Sequence, residues 1–383
     1  MTSLPAPGPD ALAHSERLQT HIRADIATHG GWVSFARYME LALYAPGLGY
    51  YAAGAAKFGA AGDFTTAPEM SALFGRTLAR QVAQGLAHSG GDILELGAGS
   101  GRLACDLLLA LEREGQLPEQ YLILELSAEL KARQRDCLQQ HALHLLERVT
   151  WLERLPESFR GVIIGNEVLD ALPLHVVMRR DGNFYERGVG LSETGFAWRD
   201  VTLNNAALQN NAEQLDLPDG YITEINLAAP ALIASLAEAL NSGLMLFIDY
   251  GFPRATFYHP QRDQGTLRCH YRHHAHGDPF LYPGLQDITA HVDFSAVADA
   301  GITQGCELMG YTTQAHFLIN CGITELLAEI SPEDVATYLP LANQVQRLLS
   351  PAEMGELFKV IVFGQGVDAP LIGFGNGDQR QRL

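Results

Sequence analysis

Residues 92–104 read DILELGAGSGRLA, an apolar run followed by three glycines and the start of a helical pattern. Glycine adopts left-handed backbone conformations and has no side chain, so a glycine-rich turn lets backbone N–H groups come close to a ligand. The N-terminus of the helix that follows favours a negatively charged group. The stretch therefore predicts a strand, a tight turn and a helix that together bind a nucleotide-like ligand.

The spacing of the glycines differs from that of two common nucleotide-binding loops. A dinucleotide-binding loop reads G-x-G-x-x-G, and a phosphate-binding loop is followed by Lys-Ser or Lys-Thr. Here the glycines are Gly97, Gly99 and Gly101, and Glu95 lies on the preceding strand. This E-x-G-x-G-x-G pattern resembles motif I of class I S-adenosylmethionine-dependent methyltransferases. The resemblance implies that Glu95 and the loop residues Gly97, Ala98, Gly99 and Gly101 contact S-adenosyl-L-methionine.

A second acid lies near the end of the next apolar run, YLILEL at 121–126. Glu125 follows Gly101 by 24 residues, at the end of a predicted strand. From such a position a carboxylate can accept hydrogen bonds from both hydroxyls of a ribose. We therefore expect Glu125, Leu126 and Ser127 to contact the cofactor. The alternative is that the glycines form a plain tight turn and that Glu125 is an exposed strand end.

Strands alternate with helical patterns from residue 92 onward. Apolar runs lie at 92–96, 121–126, 148–152, 161–165, 244–250, 303–308 and 357–364. Seven such runs with helical spacers are typical of an α/β protein with a doubly wound, largely parallel sheet. The resemblance of the glycine loop implies that this is the class I seven-stranded Rossmann-like sheet. We predict an α-helical N-terminal region over 1–90 and a methyltransferase domain over 91–383. Apolar and polar residues alternate around an Asp-Gly turn, which predicts a β-rich insert at about 174–227, after the fourth strand.

Three further stretches make the resemblance more specific. They are GDFTTAPEMSALFG at 62–75, GNEVLDALP at 165–173, and GTLRCHYRHHAHGDPFLYPGLQDITAHVDFSAV at 265–297. Together they resemble the MidA-like family of S-adenosylmethionine-dependent methyltransferases, which includes a mitochondrial complex I assembly factor that methylates arginine in a protein subunit. The glycine loop reads GAGSGRL here and GPGRGTL in the mitochondrial members. This difference favours a bacterial branch and leaves the acceptor protein open.

The stretch at 62–75 has two compatible interpretations. Thr66 and Glu69 have the spacing of a capping box, and Pro68 lies in the first turn, where its missing N–H is harmless. A helix start alone explains these residues. The family resemblance implies in addition that Gly62, Thr65 and Pro68 contact the cofactor, whose methionine carboxylate would lie at the helix start.

The stretch GNEVLDALP follows the fourth predicted strand, at the edge where ligands of open α/β sheets bind. Glu167 and Asp170 are three residues apart, so both carboxylates can face one side of a helical turn. Methyl transfer to a guanidinium needs acids that hold the group and orient a nitrogen lone pair. We therefore predict that Glu167 and Asp170 are catalytic and that Asn166 contacts the cofactor. The alternative is that Asn166 caps the turn and that both acids are solvated.

Two other groups of residues leave alternatives open. The histidines of the third stretch favour a polar loop over the acceptor pocket rather than a metal site, because zinc sites combine His with Cys or carboxylates at defined spacings. These histidines are His270, His273, His274, His276 and His291. Asp249 ends the fifth predicted strand, where it either caps a turn or contacts the substrate.

The composition limits the partners and the compartment. The net charge is −18, from 26 basic and 44 acidic residues, so no nucleic-acid partner is expected and a guanidinium-bearing protein fits better. The five cysteines are dispersed and none forms a C-x-x-C pair, which favours a reducing cytoplasm without a disulfide framework or a structural zinc site. With the bacterial branch that the family resemblance implies, we expect a bacterial cytoplasmic protein. Neither a secretory signal nor a membrane-spanning run is expected.

These features predict an S-adenosylmethionine-dependent methyltransferase, specifically a protein arginine N-methyltransferase. One alternative is a non-catalytic, cofactor-binding assembly factor that acts through a protein partner. The other is an NAD-dependent oxidoreductase, which the glycine spacing disfavours.

Overall fold

The computed structural model describes residues 4–53 and 65–383 of the chain. They belong to two compact units, each made of three segments. The first unit comprises Met1–Phe64, Asp170–Ala229 and Arg254–Asp293, and the second comprises Thr65–Leu169, Pro230–Pro253 and Phe294–Leu383. The predicted division at residue 90 coincides with none of these boundaries. The helix Ala72–Ser89 instead belongs to the same unit as the glycine loop.

The second unit is built on a mostly parallel sheet. We number the strands along its path in chain order: β1 (Asp92–Leu96), β2 (Tyr121–Leu124), β3 (Val149–Leu152), β4 (Phe159–Asn166), β5 (Leu240–Phe252), β6 (Glu307–Thr313) and β7 (Phe358–Gln365). Their order in the sheet is β6-β7-β5-β4-β1-β2-β3. Strands β1 to β5 pair in parallel, and β7 is antiparallel to β5 and β6. The predicted Rossmann-like α/β fold is confirmed.

Helices cover this sheet and complete its core. The helix Ala72–Ser89 buries Leu78 and Val82, which belong to the same apolar cluster as Ile93 on β1 and Ile164 on β4. The helices of the unit are Ala67–Met70, Ala72–Ser89, Arg102–Arg113, Ala128–His141, Ala228–Ala239, Phe294–Thr303, Gln314–Asn320, Ile323–Ala328 and Val335–Leu349. The first two residues of Ala228–Ala239 are counted with the first unit. Short 3₁₀ helices lie at Leu143–Arg148, Ile372–Phe374 and Arg380–Arg382.

One predicted strand of the sheet was placed too early. The run at 303–308 contains the end of the helix Phe294–Thr303, and Gly305 follows it at a φ of 88°. Strand β6 begins only at Glu307. Helix ends commonly use a glycine at positive φ, and the apolar run therefore contained a helix end rather than a strand start.

The first unit contains the predicted β insert. Its five-stranded antiparallel sheet is formed by Trp32–Ser34, His175–Arg180, Asn183–Ser192, Gly195–Thr202 and Ile222–Ile225. Asp181 and Gly182 connect the first hairpin at φ values of 52° and 73°, as a two-residue hairpin turn requires. The insert is confirmed, whereas the strand Trp32–Ser34 was not predicted.

Helices and a smaller sheet complete the first unit. The helices are Pro9–Thr28, Phe35–Tyr44, Ala206–Glu213 and Arg254–Phe257, with a 3₁₀ helix at Pro260–Arg262. A three-stranded sheet is formed by Arg268–Tyr271, His274–His276 and Asp287–Thr289, and a short strand lies at Val292–Asp293. Within residues 4–53 and 65–383, no helix has both the length and the apolar character needed to cross a membrane.

Candidate active site

The glycine loop leaves β1 in the conformation that its sequence predicts. Gly97, Gly99 and Gly101 have φ values of 61°, 53° and 85°, and Gly101 immediately precedes the helix Arg102–Arg113. A Cβ atom at Gly101 would lie 2.9 Å from the Cα atom of Gln134. The backbone conformation and this close approach both require glycine. The loop therefore presents bare backbone at the carboxyl end of β1.

Gln134 connects the loop to the second acid. Its buried amide nitrogen Nε2 donates to the carbonyl oxygen of Gly99 at 3.1 Å and to Oε2 of Glu125 at 3.0 Å. Its oxygen Oε1 accepts a hydrogen bond from Trp151 at 2.8 Å. Sequence reasoning missed this residue. Its signal was a glutamine midway between Leu130 and Leu138, on the buried face of the helix Ala128–His141.

Glu125 lies at the end of β2 with its carboxylate held in place. The side chain is buried, so the alternative of an exposed strand end is wrong. Oε1 accepts a hydrogen bond from the backbone of Ser127 at 2.9 Å, and burial raises the pKa of the carboxyl group. Each carboxylate oxygen can accept a further hydrogen bond. The next residue, Leu126, is 76% exposed, so an apolar side chain lies beside hydrogen-bond acceptors.

Glu95 on β1 has a different environment. Its carboxylate is buried and accepts a hydrogen bond from the hydroxyl of Tyr121 at 2.7 Å. Burial raises the pKa of Glu95 to about 7. This hydrogen bond therefore connects β1 to the neighbouring strand β2. Its contact with the cofactor stays a prediction.

The short helix Ala67–Met70 is connected to the glycine loop. Thr66 precedes the helix and Pro68 lies in its first turn, as predicted, but within the described residues the Thr66 side chain makes no capping hydrogen bond. Glu69 instead accepts a hydrogen bond from Ser100 in the loop. The predicted capping box is therefore wrong, because Glu69 binds the loop. Thr65 lies two residues before this helix.

Gly62 lies outside the residues that the structure describes, so its predicted contact has no structural counterpart here. The predicted contacts of Thr65 and Pro68 with the cofactor stay predictions.

The turn after β4 lies beside the glycine loop. A Cβ atom at Gly97 would come within 3.4 Å of Cγ2 of Val168. Residues 167–169 form a bend rather than the predicted helical turn, because Glu167 has a φ of 53° and donates its N–H to the carbonyl oxygen of Ile248 at 2.9 Å. A left-handed conformation is uncommon for a residue with a side chain and often marks functional sites.

Asp249, near the end of β5, holds this bend. Its buried carboxylate accepts hydrogen bonds from the backbone of Val168 at 3.1 Å and of Leu169 at 2.8 Å, both through Oδ2. Oδ1 accepts a third from the backbone of Tyr250 at 2.9 Å. The interpretation of Asp249 as an acid that caps a turn is confirmed.

Asn166, the last residue of β4, has one satisfied and one unsatisfied end. Its Nδ2 donates to Oε1 of Glu167 at 3.2 Å. Its buried Oδ1 has no hydrogen-bond partner among residues 4–53 and 65–383. Leaving a buried acceptor without a donor costs about 1–3 kcal/mol. This oxygen is therefore suited to a donor group of a bound ligand.

Asp170 begins a segment of the first unit. Its side chain is buried, and its backbone oxygen accepts a hydrogen bond from Ala290 at 3.1 Å. In the same unit, buried Asp287 accepts a hydrogen bond from the hydroxyl of Tyr51 at 2.9 Å. Burial raises the pKa of Tyr51 well above its ordinary value, and the charge of Asp287 adds to the shift. Sequence reasoning did not single out Asp287, although it lies within the third family-like stretch.

The histidine-rich stretch forms a hairpin, whereas the sequence predicts a polar loop. Arg268–Tyr271 pairs with His274–His276, and Arg272 and His273 form the turn at φ values of 46° and 62°. Among the described residues, no group of three His, Cys, Asp or Glu side chains could hold a metal ion.

Comparison with protein families assigns the chain to a known group. A family model described as "Putative S-adenosyl-L-methionine-dependent methyltransferase" matches residues 77–312. The chain belongs to this family. The resemblance to MidA-like methyltransferases is thereby confirmed, and the cofactor of the methyltransferase is S-adenosyl-L-methionine. The residues of the site fit this molecule. They offer exposed backbone, a buried carboxylate that accepts hydrogen bonds and an exposed apolar side chain, all at the ends of adjacent strands.

Solved structures and curated proteins extend the comparison. A crystal structure from Burkholderia thailandensis with bound S-adenosyl-homocysteine is 53% identical, covers 100% of both chains and superposes with a TM-score of 0.97. Protein arginine methyltransferase NDUFAF7 of Danio rerio is 29% identical over 88% of this chain and 85% of its own length. The Drosophila melanogaster homolog is 29% identical over 97% of this chain and 92% of its own length.

Proposed function

We propose that this methyltransferase transfers the methyl group of S-adenosyl-L-methionine to a guanidinium nitrogen of arginine in a protein. The observation that carries the proposal is Glu167, an acid held in a left-handed conformation next to Val168, whose side chain lies beside the glycine loop. The names of the NDUFAF7 relatives, which are protein arginine methyltransferases, support the same acceptor. The formal charge of −18 also suits a basic protein substrate.

The cofactor-binding part of the proposal uses residues at the ends of three neighbouring strands. The backbone of 97–101 would hold the methionine portion, and Glu125 would accept hydrogen bonds from the ribose hydroxyls. Leu126 and Ser127 would line the adenine side, and Oδ1 of Asn166 would accept a donor group of the cofactor. The bound cofactor supplies a methyl group that its positive sulfur makes electrophilic.

The proposed role of Glu167 follows from the chemistry of the acceptor. A guanidinium stays protonated at neutral pH, and its N–H groups form charge-assisted hydrogen bonds with a carboxylate. Glu167 would hold one acceptor nitrogen in line with the methyl group, so that the chain contributes mainly by positioning the two reactants. Asn166 donates to Oε1 of Glu167 and thereby fixes the carboxylate.

Asp170 is the second proposed catalytic acid. It is buried within the first unit, and its part in orienting the guanidinium stays a prediction. We expect Asp170→Asn to lower methyl transfer in the same direction as a change at Glu167, and less severely. We also place the reaction in the bacterial cytoplasm, in line with the dispersed cysteines of the sequence.

A labelling experiment tests the acceptor. Purified protein is incubated with S-adenosylmethionine carrying a labelled methyl group and with lysate from a strain that lacks the gene. Acid hydrolysis and amino-acid analysis should then find the label in methylarginine. Label in methyllysine or methylglutamine would contradict the arginine acceptor. Binding of S-adenosyl-homocysteine without transfer to any lysate protein would instead favour a non-catalytic assembly factor.

A further inference from the structure

Two cysteines lie close together near the end of the glycine loop, the first of them one helical turn after Gly101. The Sγ atoms of Cys105 and Cys137 are 3.4 Å apart. Cys105 lies in the first turn of the helix Arg102–Arg113, where its N–H donates to the carbonyl oxygen of Gly101 at 3.1 Å. Cys137 lies on the helix Ala128–His141, three residues after Gln134 and therefore on the same face.

The two thiols differ in access to solvent. Cys105 is buried, whereas Cys137 is half-buried and lines a surface cleft of about 320 Å³. Ser100, Arg102 and His141 line the same cleft. A small oxidant entering the cleft would therefore meet Cys137 first, with Cys105 directly behind it.

The environment of Cys137 also favours reaction. The hydrogen bond with Cys105 lowers the pKa of the Cys137 thiol; burial opposes this shift, and the positive charge of Arg102 adds to it. The thiolate is the nucleophilic form of cysteine, and positively charged neighbours increase its population. By contrast, burial raises the pKa of Cys321 to about 12 and raises the pKa of Cys306.

We propose that Cys105 and Cys137 form a peroxide-sensitive dithiol that closes to a reversible disulfide behind the cofactor-binding loop. The Cys137 thiolate attacks one oxygen of hydrogen peroxide, which breaks the O–O bond, gives a sulfenic acid and releases hydroxide. The Cys105 sulfur then attacks the sulfenic sulfur, and the displaced hydroxide leaves as water with the Cys105 proton. In total, two thiols and one hydrogen peroxide give one disulfide and two waters.

Closing this bond would disturb the cofactor loop. A disulfide holds its sulfurs about 2.05 Å apart, so the two Sγ atoms must approach by more than 1 Å from their 3.4 Å separation. The helices have no spare room at Gly101, where a Cβ atom would already lie 2.9 Å from Gln134. Any part of this approach that rotation of the cysteine side chains does not supply moves the helix of Gln134 and loosens its hydrogen bonds to Gly99 and Glu125. We expect oxidation to weaken S-adenosyl-homocysteine binding about fivefold, as for loss of roughly one hydrogen bond.

The first test maps the oxidised thiols of the full-length wild-type protein. One equivalent of hydrogen peroxide should remove two free thiols, and peptide mass mapping should find the Cys105–Cys137 crosslink, which dithiothreitol reverses. Cys321 should stay reduced. If Cys321 or Cys306 reacts before the pair, or if Cys137 is oxidised without forming the crosslink, the proposal is overturned. This test requires no variant and no methyl-transfer activity, so it is separate from the test of the arginine acceptor.

The second test measures S-adenosyl-homocysteine affinity by calorimetry before and after oxidation. Wild type should lose affinity about fivefold on oxidation and regain it on reduction. Cys137→Ser should bind like reduced wild type in both conditions, and Cys321→Ser should behave like wild type, which controls for substitution of a buried cysteine. If the crosslink forms while the affinity stays unchanged, the proposed connection to the loop is wrong.

Discussion

The turns that follow β1 and β4 lie side by side, yet they are stabilised differently. After β1, glycines take the left-handed conformations, and Gln134 holds the loop through the carbonyl oxygen of Gly99. After β4, Glu167 takes a φ of 53°, and Asp249 holds the bend through two backbone N–H groups. A left-handed residue with a side chain costs about 1–3 kcal/mol, which glycine avoids.

This difference indicates a division of work between the two turns. A loop that must bring backbone close to a ligand uses glycine, because any side chain would occupy the space of the ligand. A turn that must present an acid in a fixed direction keeps its side chain and accepts the conformational cost, which buried hydrogen bonds offset. We therefore propose that the first turn binds the cofactor and that the second positions the acceptor.

The largest effect on cofactor binding is expected from Gly99→Val. Gly99 has a φ of 53°, where a β-branched residue is strongly disfavoured, and its carbonyl oxygen binds Gln134. We expect at least a roughly hundredfold loss of affinity for S-adenosylmethionine, measured by calorimetry. Gly115→Val is the matched control, since Gly115 has a φ of 67° and open space around it. Wild-type affinity in Gly99→Val would remove the loop from the cofactor site.

A smaller effect on binding is expected from Gln134→Ala. The change leaves the Gly99 carbonyl oxygen and Oε2 of Glu125 without their shared donor. We expect cofactor affinity to fall about tenfold, as for the loss of one or two hydrogen bonds. Gln139→Ala, an exposed position on the same helix, serves as the control and should bind normally. Equal affinities of the two variants would show that Gln134 does not position the loop.

The sequence predicts the cofactor turn better than the turn after β4. Three glycines at alternate positions predict a left-handed backbone conformation, because few other residues tolerate this conformation. Glu167 gives no such signal, since its conformation depends on Asp249, which is 82 residues away in the chain and holds the bend. The role of Gln134 depends likewise on the packing of two helices. The spacing of Glu167 and Asp170 predicted a helical turn, but tertiary hydrogen bonds determine a bend instead.

The strand pattern was also more informative for the central strands of the mostly parallel sheet than for the short strand Trp32–Ser34 of the first unit. Buried strands such as β1 are mostly apolar, and their bounds were predicted closely. Trp32–Ser34 is too short to show a periodicity, and it pairs with Asn183–Ser192 only because Gly188 admits its backbone. Such pairings depend on long-range contacts that no local pattern records.

A pH-dependent effect on stability is expected from Glu95→Gln. In the unfolded chain the Glu95 carboxyl ionises near 4.5, whereas burial raises its pKa to about 7 in the folded protein. Between these values the folded state binds more protons, so this group makes stability fall by up to about 1.4 kcal/mol per pH unit as the pH rises.

Urea unfolding at pH 5, 6, 7 and 8 measures this effect. As the pH rises to about 7, the unfolding free energy of Glu95→Gln should increase relative to that of wild type. Above that pH the difference between the two proteins should stay constant. Glu153→Gln, at an 82% exposed side chain, is the control. A difference that does not depend on pH would show that Glu95 is ionised in the folded protein.

The smallest effect on stability is expected from Glu167→Gly. Glycine adopts a φ of 53° without strain, although it also loses more backbone entropy on folding. We expect a gain of about 0.5–1 kcal/mol in the free energy of unfolding together with a loss of methyl transfer. Asp181→Gly removes a similar strain at a φ of 52° in an exposed hairpin, and should gain stability without losing activity. A destabilised Glu167→Gly would show that the side chain supports the fold.

The variant Glu167→Gln tests the division between cofactor binding and methyl transfer most directly. Its transfer rate is measured on the acceptor protein that the labelling experiment identifies. The variant keeps the size of the side chain and the hydrogen-bonded bend, but it removes the negative charge that would hold the guanidinium. We predict that calorimetry finds S-adenosyl-homocysteine affinity within about threefold of wild type, while the rate of methyl transfer falls by roughly a hundredfold or more. An unchanged transfer rate, or a loss of cofactor affinity as large as the loss of rate, would contradict the account.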